Sequence, residues 1–208
     1  MRSLLKFLLK IGELKKVKRK GIAFYGVKNP DSATDHSFRM AIMVWIFSKE
    51  EKKIDLEKAL KIALIHDICK VYTGDITPYD GLLPKNKKER EEFVRKWLRL
   101  SIKEKKKRFI EKTKKEKEAI LKLTSELPKR LKNEIITLWA DYTKKKSAES
   151  RFVHQIDVVE NLIEAFECWK KDKRFPTRPW WEHIDQVIDN PTLLKFLKEI
   201  EKEELKKK

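Results

Sequence analysis

One stretch of this sequence, residues 147–171, constrains the fold more than any other part of it. It predicts a single long helix whose apolar residues cover most of its circumference, and such a helix lies at the centre of a bundle. Its apolar residues are Phe152, Val153, Ile156, Val158, Val159, Leu162, Ile163, Ala165 and Phe166. His154, Asp157, Asn161 and Glu164 form one narrow polar stripe, which faces either a thin strip of solvent or a polar cavity. We therefore predict an all-α fold.

The composition favours the same fold class. Charged residues make up 40% of the chain and only 5 of its 208 residues are glycine, so strands joined by Gly-rich turns are not expected. A chain of this length fits one domain. We predict a single helical domain over residues 1–208, with a charged peripheral segment at 85–118 and a C-terminal helical extension at 172–208.

Start and stop signals place the remaining helices. Ser32 and Asp35 form a capping-box pattern after Pro30, and Asp55 is a good N-cap. The predicted helices span 3–18, 32–47, 55 to about 70–72, about 116–126, 129–144 and 147–171, with one or two more within 85–118. Loops are predicted at 19–30 and 73–84. Trp180 and Trp181 belong either to an interface patch or to the core.

The net charge of +18 admits two interpretations. It would attract nucleic acid or nucleotides, or it reflects lysines on solvated helix faces. Nucleic acid is possible but not favoured, because the lysines alternate with glutamates and no arginine-rich arm is present.

Two further features bear on the cellular compartment. Cys69 and Cys168 lack metal-type spacing and are predicted to be buried thiols in a reducing cytoplasm. The apolar residues 4–11 are too few to span a bilayer and either pack on the core or lie on a membrane surface. We expect a cytoplasmic protein without a membrane partner.

Two imidazoles and two carboxylates, on His36, His66, Asp67 and Asp157, are a plausible ligand set for one divalent metal. His66 and Asp67 lie in an otherwise apolar run, residues 59–70, which predicts a buried helix. A carboxylate beside an imidazole is costly there unless something binds it. His36 taken alone is better explained as a residue near a helix cap, since it follows Asp35 close to a helix N-terminus.

Several motifs resemble the HD-domain metal-dependent phosphohydrolases, in particular the 5′-deoxynucleotidase-like branch. Residues 26–41, GVKNPDSATDHSFRMA, are similar to that branch's GVxNPESVAxHSxRxA. The similarity continues through residues 58–67 and 73–78 and returns at 138–142 and 153–157, covering about residues 15–170.

The resemblance implies an all-α fold and a phosphohydrolase with a single metal held by His36, His66, Asp67 and Asp157. It places Asp75 near the attacking water and the substrate. It also implies a basic residue that contacts the substrate phosphate, for which Arg19 is the nearest candidate. The expected metal is one of Mn²⁺, Co²⁺, Fe²⁺, Ni²⁺ or Zn²⁺, because mixed imidazole and carboxylate ligands suit these ions.

The sequence departs from the family at Lys70, where the family usually has the Glu of HDxxE, and at Val158, where it often has Lys. Lys70 marks a weakened or lost activity, or it has a pKa lowered near the metal, or it binds phosphate instead. We predict a phosphomonoesterase that acts on (deoxy)nucleoside 5′-monophosphates, functions as a homodimer and uses Asp75 and Lys70 in catalysis. The alternatives are a non-catalytic metal-binding protein and a helical nucleic-acid-binding protein.

Overall fold

The computed structural model describes residues 1–77, 80–82, 84, 86, 89, 92–93 and 101–206. Within these ranges the regular structure is helical, apart from one isolated bridge between Lys18 and Ser32. The α-helices are α1 (Arg2–Ile11), α2 (Lys20–Ala23), α3 (Ala33–Phe47), α4 (Leu56–Ile65), α5 (Lys70–Thr73), α6 (Ile102–Leu123), α7 (Lys129–Lys144), α8 (Ala148–Lys171), α9 (Arg178–Val187) and α10 (Pro191–Leu205). Two 3-10 helices span Gly12–Lys16 and Ser48–Glu50. The predicted all-α class is confirmed.

Capping interactions explain where several helices begin. Ser32 and Asp35 form both bonds of the capping box ahead of α3: the Ser32 amide donates to Asp35 Oδ2 at 2.7 Å, and the Asp35 amide donates to Ser32 Oγ at 3.2 Å. The Asp55 carboxylate accepts from the Lys58 amide at 3.1 Å and caps α4. These two predicted starts are confirmed.

Four predicted boundaries are wrong. The helix predicted at 3–18 ends at Ile11 and is followed by a 3-10 helix at Gly12–Lys16. The helix that was expected to reach residues 70–72 ends at Ile65, because the backbone turns at residues 66–69 before α5. The predicted loop at 19–30 contains the short helix α2. The helix predicted near 116–126 is the last part of α6, which runs unbroken from Ile102 to Leu123.

The chain folds into two compact units. The first unit comprises residues 1–35 and 67–137. Its buried apolar residues come from the first 3-10 helix, α2, the start of α3, the turn before α5, the C-terminal part of α6, the turn after it and the first half of α7: Leu14, Ile22, Ala33, Ile68, Cys69, Ala119, Ile120, Leu123, Leu127 and Ile135. Within residues 101–118 no residue is buried. Much of segment 78–100, including parts of the predicted loop and of the peripheral segment, lies outside the described residues.

The second unit comprises residues 36–66 and 138–208, and α8 is its central helix. Helices α4, α9 and α10 all contact α8. The core includes Met40, Met43 and Val44 from α3, Ile62 from α4 and Ile156 from α8. Trp180 and Trp181 are partly buried and pack against this core, which is the second of the two interpretations given for them.

Helix α1 buries no residue fully, and its Leu5, Leu8 and Leu9 are exposed. No helix in the described part of the chain is both long and apolar enough to cross a membrane. Cys69 and Cys168 are free thiols, the first of them buried.

Candidate active site

Three of the side chains singled out from the sequence meet around one atom, Nε2 of His36. His36 lies in the first turn of α3 and is fully buried. His66 follows the last residue of α4, and its Nε2 is 3.3 Å from that of His36. Asp157, in the middle of α8, places Oδ1 3.2 Å from the same nitrogen. Asp67 is joined to His66 by a peptide bond.

The partner of the second ring nitrogen, Nδ1, shows which nitrogen of each histidine carries the proton. Nδ1 of His36 contacts the carboxylate of Glu160, and Nδ1 of His66 lies 2.7 Å from the carbonyl oxygen of Ala63. A carboxylate or carbonyl oxygen only accepts hydrogen bonds, so both Nδ1 atoms donate. In the neutral rings each Nε2 therefore bears a lone pair.

This arrangement fits a divalent transition metal. Two nitrogen lone pairs and a carboxylate oxygen at 3.2–3.3 Å repel one another unless a cation or a proton lies among them. Histidines that bind metals through one ring nitrogen usually donate the N–H of the other to a carboxylate or a backbone carbonyl, as both rings do here. The donor set suits the five ions that the ligand types predicted, and it does not choose among them.

Glu160 was missed by the sequence reasoning. It is completely buried on α8, and its second oxygen accepts from Nε of Arg39 at 2.8 Å. Nη1 of Arg39 also donates to the Glu167 carboxylate, at 2.9 Å. Glu160 is three residues after Asp157 and therefore lies on the same face of α8. This spacing is the signal that could have identified it.

Two donors fix the orientation of the Asp157 carboxylate. The Tyr142 hydroxyl donates to Oδ2 at 2.7 Å, and the Asn161 amide donates to Oδ1 at 2.9 Å. Tyr142 belongs to the block at residues 138–142 that resembled the family, but no role was predicted for it. At Asp157 the polar stripe on α8 therefore faces a polar interior, which agrees with the polar cavity and not with the thin strip of solvent.

His154 belongs to the same stripe and is not part of the group around His36. Its Nε2 is buried and has no hydrogen-bond partner among the described residues. Burial, as the main cause, lowers the pKa of His154 to about 4, although Asp157 opposes the shift. The ring is therefore neutral at pH 7.

The remaining predicted residues form a second cluster within the first unit. The ammonium group of Lys70 lies 2.7 Å from Asp67 Oδ2 and 2.6 Å from Asp75 Oδ1. Nη1 of Arg19 lies 3.8 Å from Asp67 Oδ2, and Oδ2 of Asp75 accepts from the backbone amide of Lys20 at 2.8 Å. Arg19, Lys70 and Asp75 are all at least nine-tenths buried.

In this second cluster the positive and negative side chains stabilise each other's charged forms. Burial lowers the pKa of a lysine, but Asp67 and Asp75 outweigh it and raise the pKa of Lys70 above its usual range. Burial similarly acts to raise the pKa of Asp75, but Lys70 and Arg19 outweigh it and hold that pKa low. Lys70 is therefore a charged partner of the Asp67 and Asp75 side chains, and the lowered pKa considered for it from the sequence is wrong.

A family model and curated relatives identify the wider group. A model described as HD domain matches residues 11–110 and 101–183. The 5′-deoxynucleotidase HDDC2 of Homo sapiens is 30% identical over 204 residues, which cover 97% of this chain and 86% of the relative. The 5′-deoxynucleotidase YGK1 of Saccharomyces cerevisiae is 33% identical over 167 residues, covering 80% of this chain and 67% of its own length.

Solved structures share the fold. A conserved hypothetical protein from Pyrococcus furiosus superposes with a TM-score of 0.68 at 26% identity, covering 95% of this chain and 99% of its own. A protein from Magnetospirillum magnetotacticum, described as a predicted metal-dependent phosphohydrolase, has a TM-score of 0.64 at 19% identity, covers 99% of this chain and 92% of its own, and supports the fold alone. The chain belongs to the HD domain family, as its sequence motifs predicted.

Proposed function

We propose that this protein is a metal-dependent phosphohydrolase that removes the phosphate from (deoxy)nucleoside 5′-monophosphates. Curated relatives named 5′-deoxynucleotidases align with most of the chain and support this substrate class. The observation that carries the proposal is the convergence of two imidazole Nε2 atoms and a carboxylate oxygen. Each of the three side chains is oriented by a hydrogen bond to a partner outside the group.

His36, His66, Asp67 and Asp157 are the proposed ligands of one divalent ion. Asp67 joins the set because it directly follows His66 in the chain. A divalent transition metal held by these ligands would polarise a phosphate oxygen, offset the charge that develops on the phosphoryl group and activate water. In the neutral rings, Glu160 and the Ala63 carbonyl hold the proton on Nδ1, so that each Nε2 presents its lone pair for this role.

The second cluster would supply the proton transfer and the substrate contacts. Asp75 is ionised, so it is available to accept a proton from an attacking water. Lys70 holds Asp75 in place and offsets its charge, which is why we assign it to the catalytic machinery. Arg19 is the proposed phosphate contact, because its planar guanidinium matches a phosphate group and its charge is buried close to Asp67.

One observation favours a second candidate, a metal-binding protein without catalysis. Lys70 stands at the position of the family's usual Glu and forms ion pairs with both Asp67 and Asp75. An ammonium group there cannot accept a hydrogen bond from water as a carboxylate does. Nucleic-acid binding remains the third alternative, supported by the net charge alone.

Phosphate release from a panel of ribo- and deoxyribonucleoside 5′-monophosphates, with Mn²⁺ or Co²⁺ added, tests the proposal. We expect turnover by the wild type and a loss of about 10²–10⁴-fold in Asp75→Asn, with bound metal unchanged. Asp80→Asn is the matched control, because Asp80 pairs with Lys20 and is more exposed. Bound metal without any turnover would favour the non-catalytic protein, and salt-dependent binding of DNA or RNA without turnover would favour the third alternative.

We also propose that the chain forms a homodimer and works in the cytoplasm. The two free thiols support a reducing compartment. Sedimentation of the purified protein and its localisation by a fluorescent tag test these two statements separately.

A further inference from the structure

A buried ammonium group lies between two carboxylates of the first unit. Nζ of Lys70 is 2.7 Å from Oδ2 of Asp67 and 2.6 Å from Oδ1 of Asp75, and only 6% of the Lys70 side chain is exposed. Lys70 begins the short helix α5, and Gly74 ends that helix with a φ of 65°, after which the chain places Asp75 beside Lys70. The ammonium group is therefore held by residues on both sides of one helical turn.

A third carboxylate lies close to the same group. Glu116, on α6, has 13% of its side chain exposed, and its charge interacts with those of Asp67 and Lys70. Without the positive charge of Lys70, these carboxylates would repel one another in a poorly solvated place. Carboxylate oxygens grouped in this way are the usual ligands of hard divalent cations. The ammonium group thus occupies a position that suits a metal ion.

We infer that the ammonium group of Lys70 is a tethered cation that takes the place of a second divalent ion, so that this protein binds a single metal ion. Many phosphatases hold two metal ions about 3.5–4 Å apart, which together stabilise the attacking and leaving oxygens. Lys70 contacts Asp67, a proposed ligand of the first ion, and so supplies a fixed positive charge beside that ion. Its part in turnover rests on the proposed function, whereas the number of ions bound does not.

The distances explain why Lys70 and a second ion exclude each other. A divalent ion lies about 2.0–2.6 Å from its carboxylate oxygens, which is nearly the distance at which Nζ already lies from both aspartates. The ion and the ammonium group would occupy the same space, and their charges would repel. Removing the ammonium group should therefore admit an ion.

Calorimetric titration with Mn²⁺, checked by elemental analysis, counts the ions. The wild type should bind about one equivalent and Lys70→Met about two, because Asp67 and Asp75 lose their shared cation. The double variant Lys70→Met with Asp75→Asn should return to about one equivalent, since the second ion then lacks one of its two charged ligands. Lys70→Gln is a second variant with a neutral side chain, and circular dichroism shows which variants fold.

Lys58 offers a matched control, because its ammonium group also lies between two carboxylates, 3.0 Å from Asp141 and 2.9 Å from Glu149. Both oxygens of Asp141 already accept hydrogen bonds from Ser147, and the Lys58 side chain is 32% exposed. Lys58→Met should therefore bind the same number of ions as the wild type.

The inference requires one more ion in the Lys70 variants than in the wild type. Two equivalents in the wild type would overturn it, as would an unchanged count in a folded Lys70→Met or Lys70→Gln protein. With one equivalent of Mn²⁺, phosphate release by Lys70→Met should be at least about 10-fold slower than by the wild type, and excess Mn²⁺ should recover part of the loss. A wild type without turnover would count against the proposed function and leave the ion count as it is.

Discussion

At the scale of single residues, the two nitrogens of His36 have different partners, and this difference decides which atom a cation can reach. Nδ1 faces the carboxylate of Glu160, so Nε2 faces His66 and Asp157. Glu160 holds the ring in this tautomer and makes its Nε2 a better ligand. The completely buried carboxylate is in turn balanced by Arg39.

Glu160→Gln should therefore weaken metal binding by about 10–100-fold while the fold is kept. The amide retains the size of the side chain but loses the charge that orients the His36 ring. Calorimetric titration of the metal-free protein with Mn²⁺ or Co²⁺ measures the effect. Glu167→Gln is the control, because Glu167 also pairs with Arg39 but is half exposed. Equal affinities in the two variants would show that Glu160 has no such role.

Lys70 is predicted to stabilise the metal-free protein. Lys70→Met leaves Asp67 and Asp75 without their shared cationic partner, and removing one member of a buried ion pair costs about 3–5 kcal/mol of unfolding free energy. Added Mn²⁺ should restore part of this loss, since a cation bound by Asp67 replaces some of the missing charge.

Thermal melts in EDTA and in Mn²⁺ measure both effects of the Lys70 change. The control Lys61→Met removes an exposed pair with Glu57 and should change stability by no more than about 0.5 kcal/mol. A Lys70→Met protein as stable in EDTA as the wild type would contradict the assigned role.

At the scale of helices and turns, the starts of two helices could be predicted from their polar caps, whereas the ends of helices were harder to predict. The capping box of Ser32 and Asp35 and the N-cap Asp55 predicted two starts correctly, because these interactions are local. The end of α4 at Ile65 was missed, because the apolar run continues through residues 66–69 while the backbone turns. Helix α6 was divided by mistake because its apolar residues are sparse, although no Gly or Pro interrupts it.

The turn between α7 and α8 depends on Asp141. Its carboxylate accepts from the amide and the hydroxyl of Ser147, at 2.9 and 2.7 Å, and pairs with Lys58 at 3.0 Å. Burial by itself would raise the pKa of Asp141, but the hydrogen bonds from Ser147 and Lys58 outweigh it and lower the pKa to about 2.

Since the pKa of Asp141 is lower in the folded state than its usual value of 3.8, its contribution to stability is complete above about pH 4 and is lost as the pH falls toward 2. Asp141→Asn should therefore lower the free energy of unfolding at pH 7 by about 1–2 kcal/mol. The difference from the wild type should disappear near pH 2. Urea unfolding across this pH range measures it, with Asp172→Asn, in an exposed pair with Arg174, as the control. A difference that does not change with pH would contradict the assignment.

At the scale of the whole molecule, the seven residues predicted for the site come from both units. His36, His66 and Asp157 converge in the second unit, and Arg19, Asp67, Lys70 and Asp75 form an ion-pair cluster in the first. The motifs identified the family, because they preserve the spacing of ligands along the chain. The pairing of Lys70 with two carboxylates, and the roles of Glu160 and Tyr142, depend on contacts between distant segments, which spacing alone does not reveal.

The most direct test of this account is the metal content of the purified protein and its histidine variants, measured by elemental analysis after equilibration with Mn²⁺ or Co²⁺ and removal of the excess. The chain has four histidines, so each can be replaced in turn. The wild type should retain about one equivalent of metal, and His36→Ala and His66→Ala should retain almost none, because each loses a nitrogen ligand. His154→Ala and His183→Ala should bind metal as the wild type does. Full metal content in both His36→Ala and His66→Ala would contradict the account.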